Sequence, residues 1–261
     1  MSTIFKLSSC VAEVRNWMTH NKLKLNDSKT EFFIASPPQL MSRLSGTTIW
    51  IGSTEVTPSE KIKNLGVVFD SAMTMSSHVT SLCKSVNFHL WNISRIRRFI
   101  DKDTCSTTMR ALVLSKLDYA NSTLLGCKKA DILRLQRLQN KAARIIFRVP
   151  RRHSSSQLLS TLHWLPIDKR IIFKTLLYIY KSLNDLAPIY LSDSISLFIP
   201  SRKGLRSSMD TLRLDIPRSS RKYGARSFSV HGPTLWNNIP LAIRSSPTAT
   251  IFKSRLKTGI F

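Results

Sequence analysis

The segment 131–149 carries the best-defined periodic pattern in the chain. Apolar side chains recur there at alternating steps of three and four residues, which is the spacing of one face of an α-helix. These side chains are Leu135, Leu138, Ala142, Ile145 and Val149. Pro150 follows directly and cannot continue a helix. The pattern therefore predicts a long helix that buries one face against other elements.

A second stripe, made of cationic side chains, lies about 100° from the apolar stripe on the same predicted helix. Its members are Arg134, Arg137, Lys141, Arg144 and Arg148. Only Asp131 offsets these charges, whereas an ordinary solvated face mixes both signs because like charges one turn apart repel each other. Such a row can follow a phosphate backbone. We assign these five residues to nucleic-acid binding, and a solvated helix face is the alternative.

The charge of the whole chain agrees with this assignment. Its 261 residues include 40 Lys and Arg against 15 Asp and Glu, which gives a net charge of +25. Residues 127–261 hold 25 of these cations and 6 of the anions, a net +19, against +6 for residues 1–126. Nucleic acid is the commonest polyanion in a cell. An anionic membrane is the second possibility. No apolar run reaches the roughly 18 residues of a membrane span. Of the two polyanions we expect nucleic acid as the partner and no membrane.

The remaining periodicity predicts an α+β fold. Helical spacing marks four more segments and a last helix that opens at Pro247; the four segments are 5–20, 76–100, 105–119 and 168–184. Short strands are predicted at 23–25, 32–34, 48–51, 54–56, 65–69 and 227–230. Gly52 and Ser53 mark a hairpin between two of these strands.

Aromatic residues are interspersed with the cations of the carboxy-terminal half. They are Tyr178, Tyr180, Tyr223, Phe228 and Trp236. Aromatic rings in a basic surface can stack on nucleic-acid bases. Packing inside a hydrophobic core is the more ordinary use of each ring, so both interpretations stay open.

Common enzyme motifs are missing from the sequence, which has no GxxxxGK[ST], GxGxxG, HExxH or GxSxG segment. The four cysteines lie more than twenty residues apart and form no C-x-x-C pair. This spacing favours a reduced, intracellular chain in the nucleus or cytoplasm. Asp101 and Asp103 could share a divalent cation, but at the start of a predicted helix they more simply complement its dipole. We therefore expect no metal site and no small-molecule substrate.

Several long segments, in a consistent order, resemble parts of one enzyme family. The segments are WMTHNKLKLNDSKTEFFI at 17–34, IKNLGVVFDSAMTMSSHV at 62–79, LVLSKLDYANSTLLG at 112–126, LRLQRLQNKAARII at 133–146, HWLPIDKRIIFKTLLYIYKSLNDLAPIYL at 163–191 and YGARSFSVHGPTLWNNIP at 223–240. Together they are similar to the carboxy-terminal part of the reverse transcriptases of non-LTR (LINE) retrotransposons, notably the jockey-like and CR1-like groups. The resemblance covers nearly the whole chain.

The resemblance implies a division of the chain into three parts. Residues 1–75 would be a remnant of the antiparallel palm with a primer-grip hairpin, 76–150 the helical thumb, and 151–261 a basic, mixed carboxy-terminal extension. The metal-binding aspartates of the family lie upstream of Trp17 in this alignment. Mg²⁺ is expected for the intact parent enzyme, but this chain alone would hold no cofactor and would not polymerise.

Residue roles follow from the same resemblance. Lys29 matches a family lysine near the incoming triphosphate and would be a remnant general acid, although a solvated turn lysine is the alternative. Leu65, Gly66 and Val67 match the primer grip, where Gly66 would let the backbone approach the primer closely. A simple buried strand explains the leucine and the valine equally well.

The sequence is therefore compatible with two functions. The first is a fragment of an RNA-directed DNA polymerase that still binds RNA, DNA or an RNA–DNA hybrid. The second is a domesticated basic helical protein that acts as a protein-interaction or RNA-scaffolding module. Charge reversal on the predicted helix would weaken nucleic-acid binding in the first case, whereas apolar surface substitutions would break a complex in the second.

Overall fold

A computed structural model describes residues 3–41, 44, 46–52, 54–199, 212–219 and 224–260. The fold is mixed α+β, as predicted, with most of the chain helical and two small antiparallel sheets of two strands each. The chain divides into two compact units, Met1–His78 and Val79–Phe261. None of the helices in the described ranges combines the length and the apolar character needed to span a membrane.

The first unit begins with a long helix and ends with two hairpins. Its elements are α1 (Thr3–His20), a 3-10 turn (Asp27–Lys29), α2 (Pro38–Met41), β1 (Ile49–Ile51), β2 (Thr54–Val56), β3 (Lys61–Asn64) and β4 (Val67–Asp70). Strand β1 pairs with β2, and β3 pairs with β4. A small core of Phe32, Ile49 and Ile51 lies beneath the first hairpin. The predicted helix at 5–20 and the hairpin at Gly52 are confirmed.

Two strand predictions in this unit are wrong. Residues 23–25 form no strand, and in the segment 32–34 only Phe32 makes a β-bridge, with Pro58. The polar stretch between α1 and Phe32 folds instead around the 3-10 turn, where the Asn26 side chain accepts a hydrogen bond from the Lys29 N–H. Local side-chain hydrogen bonds of this kind compete with strand pairing.

The hairpin of β3 and β4 turns at Leu65 and Gly66, whose φ angles are +46° and +84°. Two successive residues of positive φ between paired strands are the signature of a type I′ turn, which matches the twist of a hairpin. The predicted strand at 65–69 therefore begins two residues late, at Val67. Leu65 is 82% exposed, so a buried strand does not account for it.

The second unit is helical. Its elements are α3 (Ser76–Ile96, whose first turn belongs to the first unit), α4 (Lys102–Met109), a π-turn (Arg110–Leu114), α5 (Ser115–Asp118), a 3-10 turn (Asn121–Leu124), α6 (Lys129–Phe147), α7 (Ser155–Thr161), α8 (Ile167–Leu183), α9 (Ile189–Ser192), a 3-10 turn (Gly224–Arg226), α10 (Phe228–Asn237), α11 (Leu241–Arg244) and α12 (Ala249–Ile260). The predicted helices are confirmed to within a few residues. Helix α6 buries Leu135, Leu138 and Ala142, as its apolar stripe predicts.

An aromatic core holds the carboxy-terminal helices together. Phe252 of α12 stacks on Tyr180 of α8, with ring centroids 4.3 Å apart, and lies 5.9 Å from the ring of Trp236 in α10. The strand predicted at 227–230 is wrong, because these residues form the first turn of α10. Helical spacing places Gly232 and Trp236 one turn apart on the face that packs against α8.

Candidate nucleic-acid interface

A basic groove lies beside α3 and α6 in the second unit. It has a volume of about 900 Å³, and six cationic residues line it. They are Arg97, Arg137, Lys141, Arg144, Arg148 and Arg151. Its lining includes no Asp or Glu among the residues that the structure describes. We refer to this cavity as the basic groove. Its uncompensated positive charge attracts an anionic ligand.

Arg97 forms one buried corner of the groove. It follows the last residue of α3, and its guanidinium donates from Nε to the Ile145 carbonyl at 3.0 Å and from Nη2 to the Ile146 carbonyl at 2.6 Å. A third bond runs from Nη1 to the Ile100 carbonyl at 2.7 Å. Both carbonyls lie at the negative dipole end of α6, and the Ile145 carbonyl also accepts from the N–H of Arg148 at 3.3 Å. They satisfy the donors of Arg97 without a carboxylate.

Arg148 and Arg144 continue the wall past the end of α6. Arg148 caps the helix with a φ of +54°, and its Nη2 donates to the Arg97 carbonyl at 2.6 Å. Arg144 donates from Nη2 to the His153 carbonyl at 3.3 Å. Its Nε is buried and has no hydrogen-bond partner among the described residues. Leaving a buried donor without a partner costs about 1–3 kcal/mol. An additional acceptor bound at the Arg144 Nε would remove this cost.

Four of the five residues in the predicted cationic stripe line the basic groove. Arg137 and Lys141 are exposed and line it together with Arg144 and Arg148. Arg134 lies outside it: its Nη1 pairs with Asp131 at 3.1 Å, and its Nη2 donates to the Thr80 hydroxyl at 3.1 Å. The single acidic residue of the helix therefore neutralises the one stripe member that does not face the groove.

Sequence reasoning missed Arg97 and Arg151 as groove residues. Arg97 lies in the run Arg95 to Arg98 at the end of a predicted helix. The sequence shows the excess of cations in this run, but not which of them faces the groove. Arg151 lies in the segment after Pro150 that the sequence marks only as a break in the helix. Arg97 reaches the groove through its hydrogen bonds to the Ile145 and Ile146 carbonyls of α6, which are tertiary contacts without a local signal.

The thiol of Cys105 lies near this corner and is buried. Burial raises its pKa, and the positive charges of Arg97 and Arg148 oppose that rise only in part. A thiol with a raised pKa is a poor nucleophile. What the lining of the groove offers is positive charge and hydrogen-bond donors.

The primer-grip residues and Lys29 lie in the first unit. Leu65 and Gly66 form the type I′ turn, and Val67 starts β4 and is buried. The turn by itself requires a residue such as glycine at position 66. Lys29 is exposed at the end of its 3-10 turn. The nearby carboxylate of Asp27 is paired with Arg15 at 2.6 Å, so the residues around Lys29 do not fit a Mg²⁺ site.

The two aspartates at the start of α4 have a helix-capping geometry. Asp101 accepts hydrogen bonds from the backbone N–H groups of Asp103 and Thr104, both at 2.8 Å. A further bond from the Thr104 hydroxyl lowers the pKa of the Asp101 carboxyl. Within the described part of the chain, no group of three or more His, Cys, Asp or Glu side chains is arranged to hold a metal ion.

Two of the aromatic residues considered for base stacking belong to the core instead. Tyr180 and Trp236 are buried, with 2% and 1% of their surface exposed. Tyr178 and Phe228 are half-buried, and Tyr223 lies outside the described residues. The core interpretation therefore holds for Tyr180 and Trp236.

Comparisons with known proteins add no relative. No protein-family model, no curated protein and no solved structure matches the chain.

Proposed function

We propose that the chain is the nucleic-acid-binding, carboxy-terminal part of a non-LTR retrotransposon reverse transcriptase, and that it binds RNA, DNA or their hybrid through the basic groove. The observation that carries this proposal is the lining of that groove by six cations with no acidic residue among its described lining. The sequence resemblance supports the proposed family, and the charge of the groove supports its proposed role as the binding surface. Polymerisation would require a group of metal-binding carboxylates, and no group of three or more such side chains lies among the described residues.

The spacing of the groove cations suits a phosphate backbone. Arg137 and Arg148 are eleven positions apart in the sequence. At about 1.5 Å of rise per residue, they are separated by about 16 Å along α6. This length corresponds to about five base-pair steps of about 3.4 Å along the axis of a duplex. Lys141 and Arg144 lie between them, so the row can contact successive phosphates without reading bases.

Partly buried guanidinium groups are well suited to this role. Arg97 is held by three carbonyl oxygens, so its charge is fixed in place before a ligand arrives. Preorganised donors lose little conformational entropy on binding. Exposed Arg137 and Lys141 can adjust to the path of the strand. The combination favours binding that tolerates any sequence and weakens steeply with salt.

A second function, as a protein-interaction module, is supported by a different cavity. An apolar groove of about 810 Å³ lies on another side of α6, lined among others by Leu133, Leu159 and Trp164. Leu133 is 54% exposed there. Grooves of this kind accept apolar side chains of a partner. The two grooves share Asn140 among their described lining residues, and substitutions at the other lining residues can separate the two functions.

Fluorescence-anisotropy titrations of the full chain test the proposal. Labelled single-stranded DNA, duplex DNA and an RNA–DNA hybrid of unrelated sequences are titrated at several salt concentrations. We expect binding to all of them, with log K falling by about 0.9 per duplex phosphate contact for each unit of log salt. Binding that is absent, or independent of salt, would refute the proposal.

Primer extension tests the expectation that this chain does not polymerise DNA. The full chain is incubated with a primed template, nucleotides and Mg²⁺ or Mn²⁺. We expect no incorporation above the background. Incorporation by this chain alone would show that it holds a complete polymerase site and would overturn the assignment as a binding fragment.

A further inference from the structure

Helix α3 carries a row of exposed aromatic side chains. Phe88 and Trp91 lie three residues apart, so they occupy the same side of the helix, and Phe99 follows in the turn after it. Their exposed fractions are 62%, 54% and 74%. The buried face of α3 points elsewhere, through Val86, Leu90 and Ile93. We refer to Phe88, Trp91 and Phe99 as the aromatic row.

Cations accompany the aromatic row. The guanidinium of Arg95 lies over the Trp91 ring, 4.7 Å from its centroid, and that of Arg98 lies over the Phe99 ring at 4.6 Å. The described residues 84–99 include four Lys and Arg and no Asp or Glu. An acidic or purely apolar partner would not require this alternation of rings and positive charge. Bases attached to phosphates require both.

The aromatic row runs beside the basic groove because both use α3. Asn87, Ser94 and Arg97 line the groove from this helix. Phe88 is the neighbour of Asn87, and Trp91 lies one turn before Ser94. Helical geometry places these residues on adjoining flanks of α3, with the aromatic row further from the core. A strand whose phosphates occupy the groove would therefore have its bases within reach of the rings.

We propose that the aromatic row is a stacking platform for the unpaired bases of a single strand whose phosphates lie in the basic groove. This inference rests on the proposed function and adds to it a contact that only single-stranded nucleic acid can use. The rings of a duplex are already stacked on one another, so a duplex would use the groove alone. Stacking on rings is tolerant of sequence, because every base presents a π-face.

Paired substitutions in the full chain separate stacking from other uses of the row. The test variant is Phe88→Leu with Trp91→Leu, which keeps apolar surface but removes the π-faces. The matched control is Phe88→Tyr with Trp91→Phe, which keeps an aromatic ring at both positions. The probes are an oligothymidine strand and a duplex of equal length, measured by anisotropy at several salt concentrations. Circular dichroism verifies that both variants retain their helices.

We expect the leucine variant to bind the single strand about fivefold more weakly for each base that loses a ring. Its duplex affinity and the salt dependence of both probes should stay unchanged, because the rings neutralise no phosphate. The aromatic control should bind like the parent chain. In addition, Trp91→Phe should lose part of the tryptophan quenching that oligothymidine produces in the parent.

Contrary outcomes distinguish this inference from the proposed function. If the leucine variant binds the single strand like the parent while groove charge reversal still weakens binding, the platform is refuted and the groove stands. An equal loss for strand and duplex would also refute the platform. If the parent chain binds neither probe, the proposed function fails and the platform fails with it. Retained strand binding together with loss of a protein complex would assign the row to a protein partner.

Discussion

Arg97 donates from Nη2 to the carbonyl oxygen of Ile146 at 2.6 Å, which joins the end of α3 to the last turn of α6. The same guanidinium reaches the Ile145 carbonyl through Nε. A cation at the carboxyl end of a helix is favourable because it meets the negative end of the dipole. One side chain thus stabilises the junction of two helices and places a fixed positive charge in the basic groove.

Replacement of Arg97 should therefore destabilise the second unit. We expect Arg97→Ala to lower the free energy of unfolding by about 3 kcal/mol, because carbonyls at the end of α6 lose buried donors. Urea denaturation followed by circular dichroism measures this change. Arg98→Ala removes the same charge from an exposed neighbour and serves as the control. Equal stability of the two variants would show that the Arg97 bonds contribute little.

The turn between β3 and β4 offers a stabilising substitution. Leu65 is exposed and has a φ of +46°, a conformation that asparagine adopts more easily than leucine. We expect Leu65→Asn to stabilise the hairpin by about 0.5–1 kcal/mol. Leu65→Ala keeps the unfavourable conformation and should bring no gain. A thermal midpoint that falls in the asparagine variant would contradict the type I′ assignment.

The aromatic core of the carboxy-terminal helices should be sensitive to truncation. Phe252 is fully buried between Tyr180 and Trp236. We expect Phe252→Ala to cost about 3–5 kcal/mol, since it leaves a cavity in the core. The adjacent Ile251→Ala should stay within about 0.5 kcal/mol of the parent, because Ile251 is on the exposed side of α12. Similar losses in both variants would argue against this packing.

Acidification should weaken the first unit through His78. Its Nδ1 accepts a hydrogen bond from the Val68 N–H at 3.4 Å, and burial lowers its pKa from 6.5. The unfolded chain therefore takes up the proton at a higher pH than the folded chain does. The contribution of His78 to stability is complete above pH 6.5 and declines as the pH falls from there toward the folded-state pKa.

Urea midpoints measured across this pH range test that linkage. The variant His78→Gln keeps an acceptor but does not titrate, so its midpoint should decline less on acidification than that of the parent. His153→Gln, at an exposed position, is the control and should follow the parent. Identical curves for parent and His78→Gln would remove His78 as a source of acid sensitivity.

Much of the fold could be predicted from local pattern, and α6 shows why. Its apolar period and the proline after it define a helix without help from the rest of the chain, and the structure ends it at Phe147. The segment 227–230 shows that local pattern does not always determine the secondary structure. Its short apolar run suits a strand or a helix equally well, and packing of α10 against α8 decides between them.

From the sequence, groove residues were predicted only in the helical segment 131–149. The stripe on α6 identified four cations that line the basic groove, since their spacing is a local property. Arg97 and the aromatic row could not be placed, because their relation to α6 depends on how α3 packs against it. Arg134 shows the converse: its charge pattern matched the stripe, but its ion pair with Asp131 takes it out of the groove.

The most direct test of the account reverses charge in the basic groove. The variant Arg137→Glu, Lys141→Glu and Arg144→Glu is compared with Lys128→Glu, Lys129→Glu and Lys253→Glu, which change the net charge equally at exposed positions outside the groove. Duplex affinity is measured for both against salt concentration. The account predicts that only the groove variant loses up to about 2.7 from the magnitude of the salt slope, about 0.9 for each contact removed. Equal slopes in the two variants would contradict it.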